Sequence, residues 1–161
     1  GHLMAREALI ESAEGVASEI LSRLAGVTVA LGYETDVGAS VFAGRKRIDD
    51  DQIPCVVLIE GGDVPSRSGP SRTSHKVVQH YVLQAYLACD PNAPNTAAHK
   101  AIRDLKRAIF RTAGKPDPTW NGKVSEVRYL GRDIGPRSDG SAFVVAVIEI
   151  EIDFVEDVAN P

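Results

Sequence analysis

The sequence contains none of the short motifs that identify common enzyme active sites. It has no Gly-x-Ser-x-Gly turn, and its glycines at 61, 62 and 69 are not followed by the Lys-Ser/Thr pair of a phosphate-binding loop. Its two cysteines, Cys55 and Cys89, form no Cys-x-x-Cys pair, and each lies in or beside an apolar segment. Isolated cysteines in such segments are typical of buried, reduced thiols. No enzyme mechanism is therefore indicated by motif.

The chain also lacks a basic excess and a long apolar run. It has 18 basic and 22 acidic residues, a net charge of −4, which disfavours nonspecific binding to nucleic acid. No apolar run approaches the ~20 residues of a membrane-spanning helix. Residues 1–3, before Met4, have the character of a cloning scar, and no charged-then-apolar secretion signal follows them. The ordinary composition predicts one domain over 4–157 and a short tail at 158–161.

The most regular pattern lies in the stretch 143–154, FVVAVIEIEIDF. Successive residues of a strand face opposite sides, so this stretch predicts one long strand whose even-numbered residues form a buried face. The opposite face changes halfway from apolar to acidic. No His, Ser, Cys or Lys stands among its carboxylates to make a catalytic site. The residues of this second face are Phe143, Val145, Val147, Glu149, Glu151 and Asp153.

Periodicity predicts two helices and several further strands. Apolar residues at three- and four-residue steps predict one helix over 5–25 and another over 97–112, the second capped by Asn95 or Thr96. The order α-β-β-β-α-β-β favours a single α+β domain, with two helices packed on a mainly antiparallel or mixed sheet. The final hairpin is predicted to turn near Asp139–Gly140. The predicted strands and short extended pieces cover 33–37, 39–42, 54–60, 75–88, 123–132 and 142–154.

Two polar stretches, 44–52 and 61–74, are predicted to be mobile loops. In the first, three bases at 45–47 precede three aspartates at 49–51. The second, GGDVPSRSGPSRTS, has no periodicity and cannot bury apolar surface, which in a compact domain is typical of a functional or disordered segment. Its Arg67 and Arg72 are candidates for an assembly loop, or for the grip of a soluble binding module on a partner protein.

Clustered carboxylates supply the one enzyme hypothesis. Asp36, Asp49 and Asp51 could hold a divalent cation, because hard cations prefer carboxylate oxygens. The chain would then be a small metal-dependent hydrolase or nuclease of phage or bacterial origin. However, the calcium-loop pattern is absent, and His75 and His80 are an odd number of residues apart, so on a regular strand they cannot share a metal. The residues favour no metal and no cofactor.

Charge is distributed unevenly along the chain. The segment 97–112 carries five bases and one acid, whereas 149–157 carries five acids and no base. Both segments could be ordinary solvated faces. Alternatively, two unlike surfaces of one subunit meet in its neighbour, and such head-to-tail contacts close into rings. The candidate interface residues are Arg103, Arg107, Phe143, Val145, Glu149, Glu151 and Asp153.

Three early segments and two later ones together resemble a known family. The early segments are Tyr33-Glu-Thr-Asp36-Val-Gly38, then Val41-Phe-Ala-Gly44-Arg45, then Asp51-x-x-Pro54 before an apolar strand. The later ones are the helix containing 101–110 and the final hairpin with its acidic end. In this order they resemble phage tail terminator proteins, which include the minor tail protein U group of long-tailed phages and prophages. The resemblance extends over 4–157 in element order.

The resemblance implies a structural protein and no enzyme. Members of this family are small α+β subunits that form a hexameric ring on the finished tail tube, stop its polymerisation and present the surface that joins the head. The implied partners are further copies of the chain, the tail-tube protein and a head-connector protein, with a subunit that is monomeric when free. DNA would pass through the lumen without specific binding. The implied location is the host cytoplasm during assembly and then the virion tail.

Overall fold

The computed structural model describes residues 8–44, 47–66 and 72–161. Its helices and strands are α1 Ala13–Ala25, β1 Val41–Ala43, β2 Cys55–Pro65, β3 Ser74–Ala88, α2 Pro94–Phe110, β4 Arg111–Thr112, β5 Lys115–Pro116, β6 Glu126–Ile134 and β7 Phe143–Asp157. Five strands form one sheet in the order β1-β2-β3-β7-β6, and β4 pairs with β5 in a separate short ribbon. Strand β1 runs parallel to β2, and the other neighbours in the sheet are antiparallel. The predicted α+β class is therefore confirmed.

The core lies between the two helices and one face of the sheet. The even-numbered residues of β7 from Val144 to Phe154 are all at most 1% exposed, as the alternation predicted. They belong to the same cluster as the buried stripes of α1 and α2, and each large apolar side chain in it contributes about 1.5–3 kcal/mol through burial. Within the described residues, the opposite face of the sheet carries no helix. No helix in that part of the chain is long and apolar enough to span a membrane.

Helix α1 begins later than the sequence predicted. The hydroxyl of Ser12 accepts the N–H of Gly15 at 3.0 Å and so caps the first turn. Just before it, the N–H of Ile10 donates to the carbonyl of Lys123 at 2.9 Å. This bond holds the preceding chain outside the helix, and Leu9, which falls within the predicted helix, is 63% exposed. The predicted start at residues 5–7 lies outside the described residues.

Helix α2 begins at Pro94, so the prediction of Asn95 or Thr96 as its cap is wrong. Proline fits this first position because it has no N–H to leave unpaired. The end of the helix is closed by Arg23 from α1, which donates to the carbonyls of Ala108 and Arg111 at 3.1 and 2.9 Å. Burial lowers the pKa of Arg23. Its positive charge complements the partial negative charge of the helix end.

Part of the stretch 61–74, which was predicted to be a loop, belongs to a strand. Strand β2 continues to Pro65, and a bulge shifts its register with β3 between Glu60 and Asp63. The side-chain amide of Gln79 donates to the carbonyl of Gly61 at this bulge. Bulges interrupt the two-residue periodicity that reveals a strand, which explains the error. Residues 67–71 lie outside the described residues.

The other boundaries differ from prediction by a few residues. The stretch 44–52 contains a one-turn 3-10 helix at Asp50–Gln52, closed by a capping box with Asp49. The extended pieces predicted over 33–42 are replaced by a 3-10 turn at Val37–Ala39 and the short strand β1, and another 3-10 turn, Val29–Leu31, precedes them. Residues 45 and 46 lie outside the described residues.

We expect Tyr81→Phe to raise the free energy of unfolding by about 1 kcal/mol. Tyr81 is fully buried, and its hydroxyl has no hydrogen-bond partner among the described residues. Burial, with a smaller effect of Glu60 and Asp63, raises the pKa of this hydroxyl. A buried polar group without a partner costs about 1–3 kcal/mol, and the phenylalanine avoids that cost. Urea unfolding measures the change, with Tyr129→Phe on the half-exposed edge strand as control; a loss above 1 kcal/mol would contradict this prediction.

Candidate assembly surfaces

The exposed side of α2 carries the predicted basic residues, which together we call the basic surface. Arg103 forms a two-pronged ion pair with Glu34, with nitrogen–oxygen distances of 2.8 and 3.0 Å. This hydrogen bonding raises the pKa of Arg103 and lowers that of Glu34. The Arg103 side chain nevertheless remains 56% exposed, so its outer side is open to a second contact. The residues of the basic surface are Lys100, Arg103, Lys106 and Arg107 of α2 and Arg111 of β4, which directly follows the helix.

Arg107 contacts the same segment from the next turn of α2. Its guanidinium lies 4.8 Å above the ring of Tyr33 and 3.4 Å from the carbonyl oxygen of Gly32. A cation above an aromatic ring is stabilised by about 0.5–1 kcal/mol at an exposed site. Both arginines predicted to form an interface therefore also have partners in their own chain.

Asp104 of α2 has a structural role that the sequence analysis did not predict. It is fully buried, and its carboxylate accepts the N–H of Glu34 at 3.0 Å, the N–H of Thr35 at 2.7 Å and the hydroxyl of Thr35 at 2.6 Å. It thereby ties the segment 34–35 to the helix. The available signal was position: Asp104 comes three residues after Ala101 and four before Ala108, on the buried stripe.

The helix-free face of the sheet, which we call the sheet surface, has an apolar half. Phe143, Val145 and Val147 are half-buried there, on β7 beside the even-numbered residues of β3. The strand register places Val145 opposite Tyr86 and Val147 opposite Gln84. Half-buried apolar side chains on an uncovered sheet face suit contact with another protein surface.

The other half of the sheet surface is charged, and its acids have partners in the same chain. The Glu149 carboxylate lies 3.5 Å from His80 and its side chain is 50% exposed. Glu151 lies 3.8 Å from Arg128. The sequence of β7 has no His or Lys among these acids, but neighbouring strands bring His80 and Lys76 beside them.

Asp153 was predicted to be a candidate interface residue on the acidic half of the β7 face, but the structure places it differently. It is only 5% exposed, and the guanidinium of Arg128 donates a hydrogen bond to each of its carboxylate oxygens at 2.7 Å. These hydrogen bonds raise the pKa of Arg128. The pair joins β6 to β7, so Asp153 is neutralised within the subunit. Sequence reasoning missed Arg128, whose signal was its place in the preceding strand of the same hairpin.

The remaining candidates are not brought together. Asp36 accepts the N–H of Val29 at 2.9 Å, while Asp49 takes part in the capping box of the 3-10 turn that contains Asp51. Across the described residues, no group of three or more histidine, cysteine, aspartate or glutamate side chains could hold a metal ion. Arg72 is exposed and lies two residues before β3. Arg67 lies outside the described residues.

Comparison with known proteins finds a similar fold among solved structures. No protein-family model matches the chain, and no curated protein matches it. Among solved structures, a chain from the virion of a native gene transfer agent particle is similar, with a TM-score of 0.51 and 12% sequence identity. The match covers 83% of this chain and 90% of that chain. The two chains thus share a fold, and at this identity the likeness extends to the fold alone.

Proposed function

We propose that the chain is a structural subunit of a phage-like virion, and that it forms a ring on the tail tube. The ring ends polymerisation of the tube and provides the surface that joins the head. The fold shared with a chain of a gene transfer agent virion supports the general part of this proposal. The placement of the two candidate surfaces on the subunit supports the more specific part.

The basic surface and the sheet surface lie on opposite sides of the subunit. Helix α2 packs its buried stripe, including Ala101 and Leu105, towards the core. Arg103 and Arg107 lie on its exposed side, whereas Lys106 lies over the ring of Tyr129 on β6. The sheet surface lies beyond the other side of the sheet. One subunit cannot bring its own two surfaces together, whereas two copies can. A contact between unlike surfaces is head-to-tail, and repetition by rotation closes it into a ring.

The proposed contact has an apolar centre and a charged rim. Phe143 and Val145 supply apolar area at its centre, while Glu149 and Glu151 face Arg103 and Arg107 of the adjacent copy. Interfaces of this composition are common, since charges at the rim steer and orient association while the apolar centre supplies affinity. We assign Asp153 to holding the sheet together, because Arg128 already neutralises it.

The size of the subunit is compatible with a ring of six around DNA. A globular chain of 161 residues has a radius of gyration of about 15 Å and hence a diameter of about 39 Å. Six touching spheres enclose a hole of their own diameter, which is wider than duplex DNA.

The ends of β2 and β3 form an arm that we assign to the tail-tube contact. Residues 60–65 on its β2 side are all exposed, and Val64 is 68% exposed. Arg67 and Arg72 lie at or near its tip in the sequence. Arginine is enriched in protein interfaces, and the exposed apolar side chain of Val64 suits the same role.

Charge reversal on the basic surface tests the ring contact. We expect the variant Arg103→Glu/Arg107→Glu to weaken self-association at least tenfold, because like charges facing each other cost several kcal/mol. Electron microscopy of the protein mixed with tail tubes of its parent particle, together with sedimentation, would show uncapped tubes. Adding Glu149→Lys and Glu151→Lys to the same chain should restore capping.

Two controls separate assembly from folding. Lys115→Glu reverses an exposed base on the short ribbon and should leave capping unchanged. Circular dichroism should show that every variant keeps its secondary structure. If the variant Arg103→Glu/Arg107→Glu caps tail tubes as well as the unaltered protein does, the proposed contact is rejected. If the unaltered protein fails to cap tail tubes, the proposed function is rejected.

A further inference from the structure

The 3-10 turn Val29–Leu31, which we call the apolar turn, is exposed beside the basic surface. Val29 is 55% exposed and Leu31 is 69% exposed, the highest value for a large apolar side chain among the described residues. The guanidinium of Arg107 lies 3.4 Å from the carbonyl oxygen of Gly32, the residue that follows the turn. Turns are usually built from polar residues and glycine, and contiguous exposed apolar residues are typical of contact sites.

The apolar turn is held in one conformation by the surrounding chain. The N–H of Leu31 donates to the carbonyl of Thr28 at 3.1 Å, and the N–H of Val29 donates to the Asp36 carboxylate at 2.9 Å. Gly32 closes the turn with a φ of 95°, a left-handed conformation that favours glycine. A turn that is already ordered loses little conformational entropy on binding, so it suits insertion into a preformed site.

A hollow of about 290 Å³ opens on the sheet surface at the bulge of β6. Gly131 of β6 is paired with Glu149 of β7, and residues paired in this way lie on the same face of the sheet. Because Gly131 has no side chain, space remains beside Glu149, and an added Cβ there would meet nothing within 4 Å. The volume is just below the range of about 300–1,000 Å³ for small-molecule pockets, so it suits one anchoring side chain. The lining residues are Leu130, Gly131, Arg132, Asp133, Val147 and Glu149.

The hollow combines an apolar wall with a negative rim. Leu130, which is 44% exposed, and the half-buried Val147 supply the apolar part. One base and two acids also line it, a net charge of −1. Among the described residues the Glu149 carboxylate has one ionic partner, His80, which lies 3.5 Å from Oε2. The Glu149 side chain is 50% exposed, so its other oxygen is available to a cation from outside.

We propose that the hollow receives Leu31 of a second copy of the chain, and that Arg107 of that copy pairs with Glu149. Leu31 matches the apolar wall, and Arg107 matches the negative rim. The spacing also agrees, because Arg107 lies beside Leu31 while Val147 and Glu149 are about 7 Å apart on one face of β7. The proposal rests on the proposed function, since it names the apolar partner in the same head-to-tail contact.

Arg107 has donors to spare for this pair. Its side chain is 43% exposed, and its hydrogen bonds to the Gly32 carbonyl are long, at 3.4 and 3.5 Å. A guanidinium has five N–H donors. One subunit cannot fill its own hollow, because the apolar turn lies with α2 on the helix side of the sheet and the hollow lies on the helix-free face. The contact therefore joins two copies.

Cross-linking between two cysteine variants of the full-length chain tests this contact. In a Cys89→Ser background, which leaves only the buried Cys55, we expect a mixture of Leu31→Cys and Val147→Cys copies to give covalent dimers with a short bis-maleimide. Either variant alone should give at most one-tenth as many. Val158→Cys, 52% exposed near the end of the chain, replaces Leu31→Cys in the matched control. No dimers from the mixture on tail tubes, or equal numbers from the control or from one variant alone, would overturn the proposal.

A charge swap tests the pairing of Arg107 with Glu149. Glu149→Lys on the Val147→Cys copy should reduce the dimers at least tenfold, and Arg107→Glu on the Leu31→Cys copy should restore at least half of them. Asp139→Lys, which reverses an exposed acid in the turn between β6 and β7, should leave their number unchanged. Circular dichroism should show that every variant is folded. A folded Glu149→Lys copy that still gives all the dimers, or a loss that Arg107→Glu fails to reverse, would overturn the pairing.

The same experiment separates this contact from the proposed function. Tail tubes that are capped by the two cysteine variants without dimers would reject the contact and leave the proposed function standing. Dimers from a protein that does not cap tail tubes would retain the contact and reject the proposed function.

Discussion

Replacing Asp104 by alanine is expected to lower the free energy of unfolding by about 3–5 kcal/mol. The carboxylate is fully buried and accepts two backbone N–H groups and one hydroxyl from Glu34 and Thr35. Alanine would leave these donors without their acceptor, and a buried polar group without a partner costs about 1–3 kcal/mol. Three donors lose the same acceptor at once, so these costs combine to about 3–5 kcal/mol.

Denaturant unfolding followed by circular dichroism measures this loss. Asp104→Asn retains one carbonyl acceptor but turns an N–H₂ donor towards the other N–H, so we expect an intermediate loss. The control is Asp139→Ala in the exposed turn between β6 and β7, which should change stability by no more than about 0.5 kcal/mol. A loss below 1 kcal/mol for Asp104→Ala would show that the segment 34–35 is held by other contacts.

Asp104 also affects the assembly proposal, because the segment that it holds borders the basic surface. Glu34 is the partner of Arg103 in that surface. A variant that loosens this segment should therefore weaken the proposed contact between copies.

The sequence predicts those parts of the fold that depend on local periodicity. In β7 the alternation identifies every buried apolar residue from Val144 to Phe154, because a strand has a fixed two-residue repeat. In α2 the stripe containing Ala98, Ile102 and Ile109 is buried as predicted. Both patterns are local, and one segment is sufficient to read them.

The candidate sites depend on contacts between distant segments, which periodicity does not reveal. Asp104 binds residues 69 and 70 positions earlier in the chain. The pairing of Arg128 with Asp153 depends on the register of the last hairpin, which shifts at a bulge between Tyr129 and Gly131. A shift of one residue turns every side chain of a strand to the other face. A cavity beside the first turn of α2 is lined by four separate segments of the chain and has no signature in any one of them.

Replacing Gly38 by alanine is expected to lower the free energy of unfolding by about 3 kcal/mol or more. An added Cβ would lie 2.2 Å from the carbonyl oxygen of Leu24 and 2.7 Å from the backbone nitrogen and oxygen of Val27. All three are backbone atoms, and the N–H of Gly38 donates to the Val27 carbonyl at 2.8 Å. Relief of the clash therefore requires separating two backbone segments, which places this substitution at or above the usual 1–3 kcal/mol cost of overpacking.

Gly62→Ala is the matched control for this substitution. An added Cβ at Gly62 meets nothing within 4 Å, so we expect a change of less than about 0.5 kcal/mol, or a slight gain from the stiffer unfolded chain. Chemical unfolding of both variants makes the comparison, and equal stabilities would contradict the packing argument. Gly38 ends the segment 33–38, and its role is close packing against the end of α1. This glycine is therefore explained by packing alone, and the functional proposal depends on the assembly surfaces.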